Sequence, residues 1–135
     1  MFRHTLEIPT DGRGLRDVTT DVADVVRRSG VRTGLCHLFI QHTSASLLVQ
    51  ENADPDVLRD LNAWFSRAVP DGDSLYVHVA EGPDDMPGHV RTALTSVSLN
   101  IPVGEGALML GTWQGIYLFE HRLRGSTRRI VVTVF

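Results

Sequence analysis

The sequence predicts an α+β domain, with helices packed on a mostly antiparallel β-sheet. Two segments repeat apolar residues at helical spacing, one through Val18, Val22, Val25 and Val26, the other from Val57 to Ala68. Several shorter runs alternate or are apolar throughout, as strands are. The last third reads as successive short strands separated by turn residues.

Phe2–Ile8 alternates as a first strand, with Phe2, His4, Leu6 and Ile8 on one face. Thr10–Gly14 is a turn cluster. Leu15, Val18, Val22, Val25 and Val26 then form a helical stripe, Arg27 and Arg28 suit the last turn, and Gly30 supplies a stop. Leu35–His42 follows as a strand with Cys36, Leu38, Ile40 and His42 on one face, and Leu47–Val49 is a second short apolar run. Asp54-Pro55 opens the second helix as N-cap and first helical position, and Val57, Leu58, Leu61, Trp64, Phe65 and Ala68 are its expected buried stripe. Ser74–Ala80 reads as a strand with Leu75, Val77 and Val79 opposite Tyr76 and His78. A short helix is expected over His89–Ser96 with Val90, Ala93 and Leu94 inward. Strands at Val97–Val103, Ala107–Leu110, Ile116–His121 and Arg129–Phe135, linked by hairpins, complete the chain. The final strand is apolar on both faces, which calls for cover on both sides.

A chain of 135 residues fits one domain, 1–135, and buries enough surface to fold without disulfide or metal. A net charge of −3 argues against nucleic acid as a partner. The single cysteine, Cys36, reads as a small buried hydrophobe. No run approaches the ~20 apolar residues of a membrane span, and the charged N-terminus does not read as a signal peptide, so a cytoplasmic protein without membrane partners is expected. No Walker or Rossmann pattern is present, so no nucleotide cofactor is expected.

Chemistry concentrates in a few places. Gly111-Thr112-Trp113-Gln114-Gly115 sits between two apolar runs and suits a kinked turn presenting polar groups; equally, it suits a hairpin corner whose Trp fills core and whose Gln binds backbone. Six histidines are many for this length, and His42, His78 and His89 stand beside turn residues. Three such histidines hold a divalent metal if the fold gathers them; singly, each also reads as an ordinary capping or solvated residue. Glu51, at a strand exit, suits a general base, or equally a hydrogen bond to the amides of the following helix. Asp84 and Asp85 suit Mg²⁺ ligands or helix N-caps. Glu120 shares a face with Ile116 and Leu118, as a half-buried acid or a partner for Arg122 or Arg129. Ser44 and Ser46 lack the nucleophile-elbow pattern and read as turn residues. With no lysine and no glycine-rich phosphate loop, Arg91 is the expected phosphate contact.

Read together, His42-Thr-Ser-Ala-Ser46, Glu51-Asn-Ala-Asp-Pro55, Glu81–His89 and Leu108–Glu120 resemble the YjbQ family, also named secondary thiamine-phosphate synthases, over about Gly34 to Val134. Gly88 departs from the pattern, standing where Ala is expected. The resemblance implies a small trimeric α+β domain with a site near the histidines, and joining of a pyrimidine pyrophosphate to a thiazole phosphate. On that reading His42, His78 and His89 are metal ligands for zinc or magnesium. His42, His89 and Glu51 are catalytic, and Thr112, Gln114, Tyr76 and Arg91 bind a phosphorylated small-molecule substrate. Two other readings stay open: a non-catalytic trimer that binds a metabolite or anion, and a metal-dependent hydrolase of phosphate or acyl esters. The apolar excess in Ala107–Leu110 and Arg129–Phe135 points to an obligate homotrimer with a largely β interface, or to a second layer within the chain.

Overall fold

Eight strands and three helices follow one another in the computed structural model, which describes residues 1–135. They are β1 (Phe2–Pro9), β2 (Gly14–Asp17), α1 (Thr19–Ser29), β3 (Gly34–Ile40), β4 (Ala45–Glu51), α2 (Pro55–Ala68), α3 (Asp85–Leu94), β5 (Ser98–Gly104), β6 (Ala107–Leu108), β7 (Gln114–Glu120) and β8 (Thr127–Val134). The strands form two sheets, a five-stranded one in the order β1-β8-β3-β5-β6 and a three-stranded one in the order β2-β7-β4. Every strand pairing is antiparallel.

The main core lies between the sheets. Ile8, Cys36, Leu38, Ile40, Ile101, Val103, Ile130, Val132 and Val134 come from the large sheet; Ala45, Leu47, Ile116 and Leu118 come from the small one. Helix α1 closes the core with Val22, Val25 and Val26, and Gly30 ends it at φ 71°, a left-handed conformation that suits glycine. A second cluster, Phe65, Val69 and Phe119, lies on the opposite face of the small sheet. The two-faced apolar character of β7 follows: Ile116 and Leu118 face the large sheet while Phe119 meets α2.

Four expectations need correction. The last strands are not a run of hairpins in one sheet. Strands β5 and β6 do pair, but β7 joins the small sheet and β8 inserts between β1 and β3. Strand β7 is the middle strand of the small sheet and β8 is interior to the large one, whereas β6 spans only Ala107–Leu108 and lies at the sheet's edge. Leu15 belongs to β2, not to the helix, because it pairs opposite Phe119 in the small sheet. Ser74–Ala80 is not a strand. Local turns take its backbone groups instead: Asp73 accepts from Leu75 N–H at 2.9 Å and its carbonyl from Tyr76 N–H at 3.2 Å, while Gly72 N–H donates to Pro83 at 3.1 Å. The alternation survives without a partner, leaving Leu75, Val77 and Val79 at 86, 95 and 62 % exposure. Finally, α3 starts four residues early, at Asp85, and turns Arg91 and Thr92 inward while Ala93 and Leu94 face solvent.

The start of α2 is as expected: Asp54 accepts from Asp56 N–H at 2.9 Å and Pro55 takes the first turn. Its stripe is only partly covered, with Phe65 buried and Trp64 half exposed.

Candidate functional site

Asp85 and His89 stand one turn apart on α3 and therefore share a face. The loop before the helix brings His78 to the same place. His78 Nε2 lies 2.6 Å and His89 Nε2 3.1 Å from Asp85 Oδ2. The three candidate ligand atoms lie within 4.8 Å of one another. Asp85 is nearly fully buried, whereas His78 and His89 are partly exposed, so the group opens to solvent on its imidazole side.

Arg122 orients the carboxylates. Its Nη1 donates to Asp85 Oδ1 at 2.6 Å and its Nε to Asp84 Oδ2 at 3.0 Å, where Leu123 N–H also donates at 2.9 Å. Burial raises the Asp85 pKa, but the hydrogen bond from His78 and the charge of Arg122 outweigh it and hold the carboxyl below its ordinary value. Asp84 is held down likewise: burial opposes, and the Leu123 amide and Arg122 prevail.

Two imidazoles and one carboxylate make the donor set of open zinc or iron sites; magnesium, which wants oxygen ligands throughout, fits less well. Tetrahedral bonds of about 2.0–2.1 Å hold ligands roughly 3.3 Å apart, so a small opening of the His78–Asp85 contact accommodates an ion. Arg122 already supplies the outer hydrogen bond that fixes a ligating carboxylate.

His42 is not part of this group. It lies beyond the end of β3, where its Nε2 accepts from Arg129 N–H at 2.9 Å and its Nδ1 faces Arg128 Nη1 at 3.2 Å. Burial and the charge of Arg128 lower its pKa. It lines a separate cleft of about 460 Å³ with Phe39, Thr43, Ser44 and Val97. Asp85 takes the third place that His42 was expected to fill.

Glu51, Thr112 and Gln114 lie at the far end of the small sheet. Glu51 pairs opposite Gln114 and Ala45 opposite Glu120, so the two ends of this ladder are six residues, about 20 Å, apart. The Ser44 end, not the Glu51 end, adjoins α3: a Cβ at Gly88 would sit 3.4 Å from Ser44 Cβ. Glu51 Oε2 accepts from the amides of Ala53 and Asp54 at 3.0 and 3.3 Å, in the turn and N-cap before α2 and not in the helix itself. Gln114 Oε1 accepts from Gly111 N–H at 2.8 Å, closing the turn, while Asn52 Nδ2 donates to the Thr112 and Gln114 carbonyls. Trp113 does not fill core; it is 64 % exposed. Tyr76 does adjoin His78, and both line a pocket of about 350 Å³ with Gly72, Asp73 and Pro83.

Arg91 is not available to a phosphate. It is 1 % exposed, and its Nη2 donates to the Val69 carbonyl at 3.2 Å, tying α3 to the end of α2. Its Nε and Nη1 have no partner. Burial lowers its pKa.

Three features depart from the sequence reading or were absent from it; Glu120, read there as a half-buried acid or a partner for Arg122 or Arg129, is the first. Glu120 is buried against Arg128, with Nε donating to Oε1 at 2.8 Å and Nη2 also donating to Oε2. Thr10 Oγ1 adds a bond at 2.6 Å. Burial raises the Glu120 pKa, but Arg128 and Thr10 bring it below the ordinary value. His121 is wholly buried; its Nε2 lies 2.8 Å from Ser46 Oγ, itself 2.6 Å from Thr95 Oγ1. No substrate reaches this pair. Third, Arg122, Arg124 and Arg128 line a polar pocket of about 330 Å³ with Ser44, Gly125 and Ser126. The density of arginines after Glu120 was its only sequence signal.

The sequence model of the UPF0047 YjbQ-like proteins matches residues 4–135. The chain belongs to this family. It is 52 % identical over 129 residues to a UPF0047 protein of Synechocystis, covering 96 % of this chain and 88 % of that one. The YjbQ protein of Escherichia coli is 44 % identical over 137 residues, covering 98 and 96 %. Among solved structures, a conserved hypothetical protein of Thermus thermophilus matches at TM-score 0.87 and 34 % identity, covering 98 and 99 %. A YjbQ/UPF0047 protein of Clostridium acetobutylicum matches at TM-score 0.83 and 34 % identity over the whole of both chains. The two-sheet arrangement with three helices is thus a family property.

Proposed function

We propose that this protein is a metal-assisted enzyme acting on a small phosphorylated substrate, with His78, Asp85 and His89 as the metal ligands. One observation carries the reading: two imidazole nitrogens meet one carboxylate oxygen on a partly exposed surface, and the carboxylate is fixed from behind by Arg122. A divalent ion held there supplies Lewis-acid polarisation of a phosphate oxygen. The chain's own groups do the rest. Arg122 keeps Asp85 ionised and aimed, Tyr76 lines the approach to His78, and the His89 helix anchors the group. The reaction tested first is the one the family resemblance suggests. In it a bond forms between the pyrimidine methylene carbon and the thiazole nitrogen, and pyrophosphate leaves with the electron pair of the broken C–O bond.

The reading includes assembly. Thr112, Gln114 and Glu51 lie about 20 Å along the sheet from the end that carries the metal ligands, too far to serve one substrate within one chain. The proposed homotrimer would bring one protomer's Gly111–Gly115 turn beside the next protomer's His78 group and would cover Leu75, Val77 and Val79, which are bare in the single chain.

Elemental analysis of untagged protein, native mass spectrometry, and thiamine-phosphate turnover test these statements. The expectation is near-stoichiometric transition metal that falls at least tenfold in Asp85→Ala and in His89→Ala, with a trimeric mass. Turnover that survives both substitutions removes the group from catalysis. Metal-free protein with a bound metabolite turns the assignment to a non-catalytic binding protein, and turnover of phosphate esters alone turns it to a hydrolase.

A further inference from the structure

The pocket beside the histidine–aspartate group has an unusual lining. Ser44, Arg122, Arg124, Gly125, Ser126 and Arg128 surround it, with no apolar side chain and no carboxylate among them. The acids that balance Arg122 and Arg128 sit behind the wall: Asp84 and Asp85 for the first, Glu120 for the second. What faces the pocket is donors.

Several of those donors are uncommitted. Arg124 makes no hydrogen bond or ion pair, and the Ser126 hydroxyl makes none. Ser44 Oγ accepts from Arg128 Nη2 at 3.0 Å, which leaves its own proton to donate. Arg128 Nη1 faces His42 Nδ1 at 3.2 Å, yet His42 Nε2 already accepts from Arg129 N–H at 2.9 Å. A neutral imidazole has one lone pair to offer, so with Nε2 accepting, Nδ1 carries the proton and two donors face each other. Arg128 Nη1 is thus left without an acceptor in His42, which itself lines the neighbouring cleft.

The wall is also held in shape. The loop after Glu120 is clamped to the first turn of the chain, with Thr10 N–H donating to the Ser126 carbonyl at 2.8 Å and Ser126 N–H to Thr10 Oγ1 at 3.1 Å. A Cβ at Gly125 would lie 1.9 Å from the Thr10 carbonyl oxygen, so glycine is required for the loop to pass this close. Arg122 belongs to both places, lining the pocket and bonding Asp85.

We propose that Ser44, Arg124, Ser126 and Arg128 form a subsite for the phosphate group of a phosphomonoester, next to the His78–Asp85–His89 group. The proposal rests on the reading of that group as the reactive centre for what the subsite is used for, but not for whether phosphate binds. A tetrahedral dianion offers enough acceptor oxygens to meet donors from four residues on different sides, which a planar carboxylate does not.

Calorimetric titration of the intact protein, in low-salt buffer without phosphate, tests it with inorganic phosphate, phenyl phosphate and acetate as probes. Wild type is expected to bind both phosphates saturably and acetate at least tenfold more weakly. Arg124→Ala/Ser126→Ala, both exposed positions, is expected to weaken phosphate at least tenfold while metal content stays at the wild-type value. Arg129→Ala, with the same charge loss outside the pocket, is expected to bind as wild type. Absence of saturable phosphate binding overturns the subsite, as does equal loss in the Arg124 and Arg129 variants, or acetate binding as tight as phosphate. Binding of inorganic phosphate but not phenyl phosphate overturns the phosphomonoester assignment. Phosphate binding in a protein that takes up no metal leaves the subsite standing and sinks the metal-assisted reading instead.

Discussion

His121 gives the sharpest quantitative expectation. It is fully buried, tilted against Phe119 with ring centroids 4.4 Å apart, and bonded only through Nε2 to Ser46. Burial, with Arg91 nearby adding to it, pushes its pKa down from 6.5 to about 3. The folded state therefore keeps this imidazole neutral where the unfolded chain protonates it. The sign follows: between pH 6.5 and pH 3 the unfolded state binds the extra proton, so stability falls as pH falls, by about 1.4 kcal/mol per pH unit. From pH 6 to pH 4.5 this amounts to roughly 2 kcal/mol, and comparison with a variant lacking the imidazole separates it from the carboxylates that begin to titrate at the lower end. His121→Phe keeps a planar ring of similar size beside Phe119 and leaves Ser46 bonded to Thr95. Urea unfolding at fixed protein concentration, at pH 7, 6, 5 and 4.5, measures the slope in both proteins. The variant should lose about that share of the acid sensitivity, and the smaller share of His42 should remain in both. Equal slopes in wild type and variant would refute the assignment of a neutral buried imidazole.

Removing one member of the buried Glu120–Arg128 pair, as in Glu120→Leu, should cost about 3–5 kcal/mol because the other charge is left unmatched, whereas Glu120→Leu/Arg128→Met should recover most of it; a double-mutant cycle in urea checks this. The Glu120 contribution should be whole above its ordinary carboxylate pKa and lost as pH falls through the lowered folded value, a window that opens at lower pH than that of His121 and overlaps its acid end. Arg91→Met should be neutral or stabilising by about 1–3 kcal/mol, since two of its nitrogens are buried without partners, and a large loss of phosphate affinity in that variant would contradict its purely structural placement. Burial raises the Cys36 thiol to about 11, so a thiol reagent at pH 8 should label it only on unfolding; rapid labelling of the native protein would contradict the packing.

Local chemistry was legible in the sequence where a few adjacent residues decide the outcome. Asp54-Pro55 starts α2, and Gly30 ends α1 after Arg27 and Arg28. What depends on distant pairing was not legible. The spacing within Leu75-Tyr-Val-His78 is that of a strand, but a strand needs a partner edge, and Asp73 and Gly82 fold this segment into turns before one is reached. The same limit governs the site. His78 and His89 do meet, while His42 goes to the start of β8, because its place is set by the register of β3 against β8, a pairing across some ninety residues of intervening chain. Asp85 was weighed as a metal ligand or a cap; its spacing from His89, one helical turn, was the available clue once α3 is started at Asp85 instead of His89. Arg91 misled because its neighbour His89 is exposed; a two-residue step along a helix turns a side chain well away, here into the gap beneath α2.

The position of β8 has a consequence for how the molecule forms. It lies inside the five-stranded sheet, flanked by β1, with Phe2 opposite Val134, and by β3. Strand β1 has no other partner in either sheet. During synthesis the first strand therefore waits for the last, and the two halves of the large sheet stay apart until β8 leaves the ribosome. The loop to be closed spans nearly the whole chain, which favours slow folding and a long interval in which unpaired edges are open to other chains. The small sheet faces the same order on a lesser scale, since β7 must arrive before β2 and β4 have anything between them. Assembly of this domain is a closing event governed by its C-terminal strands, and helices α1 and α2, complete long before, have only a partial surface to rest on until then.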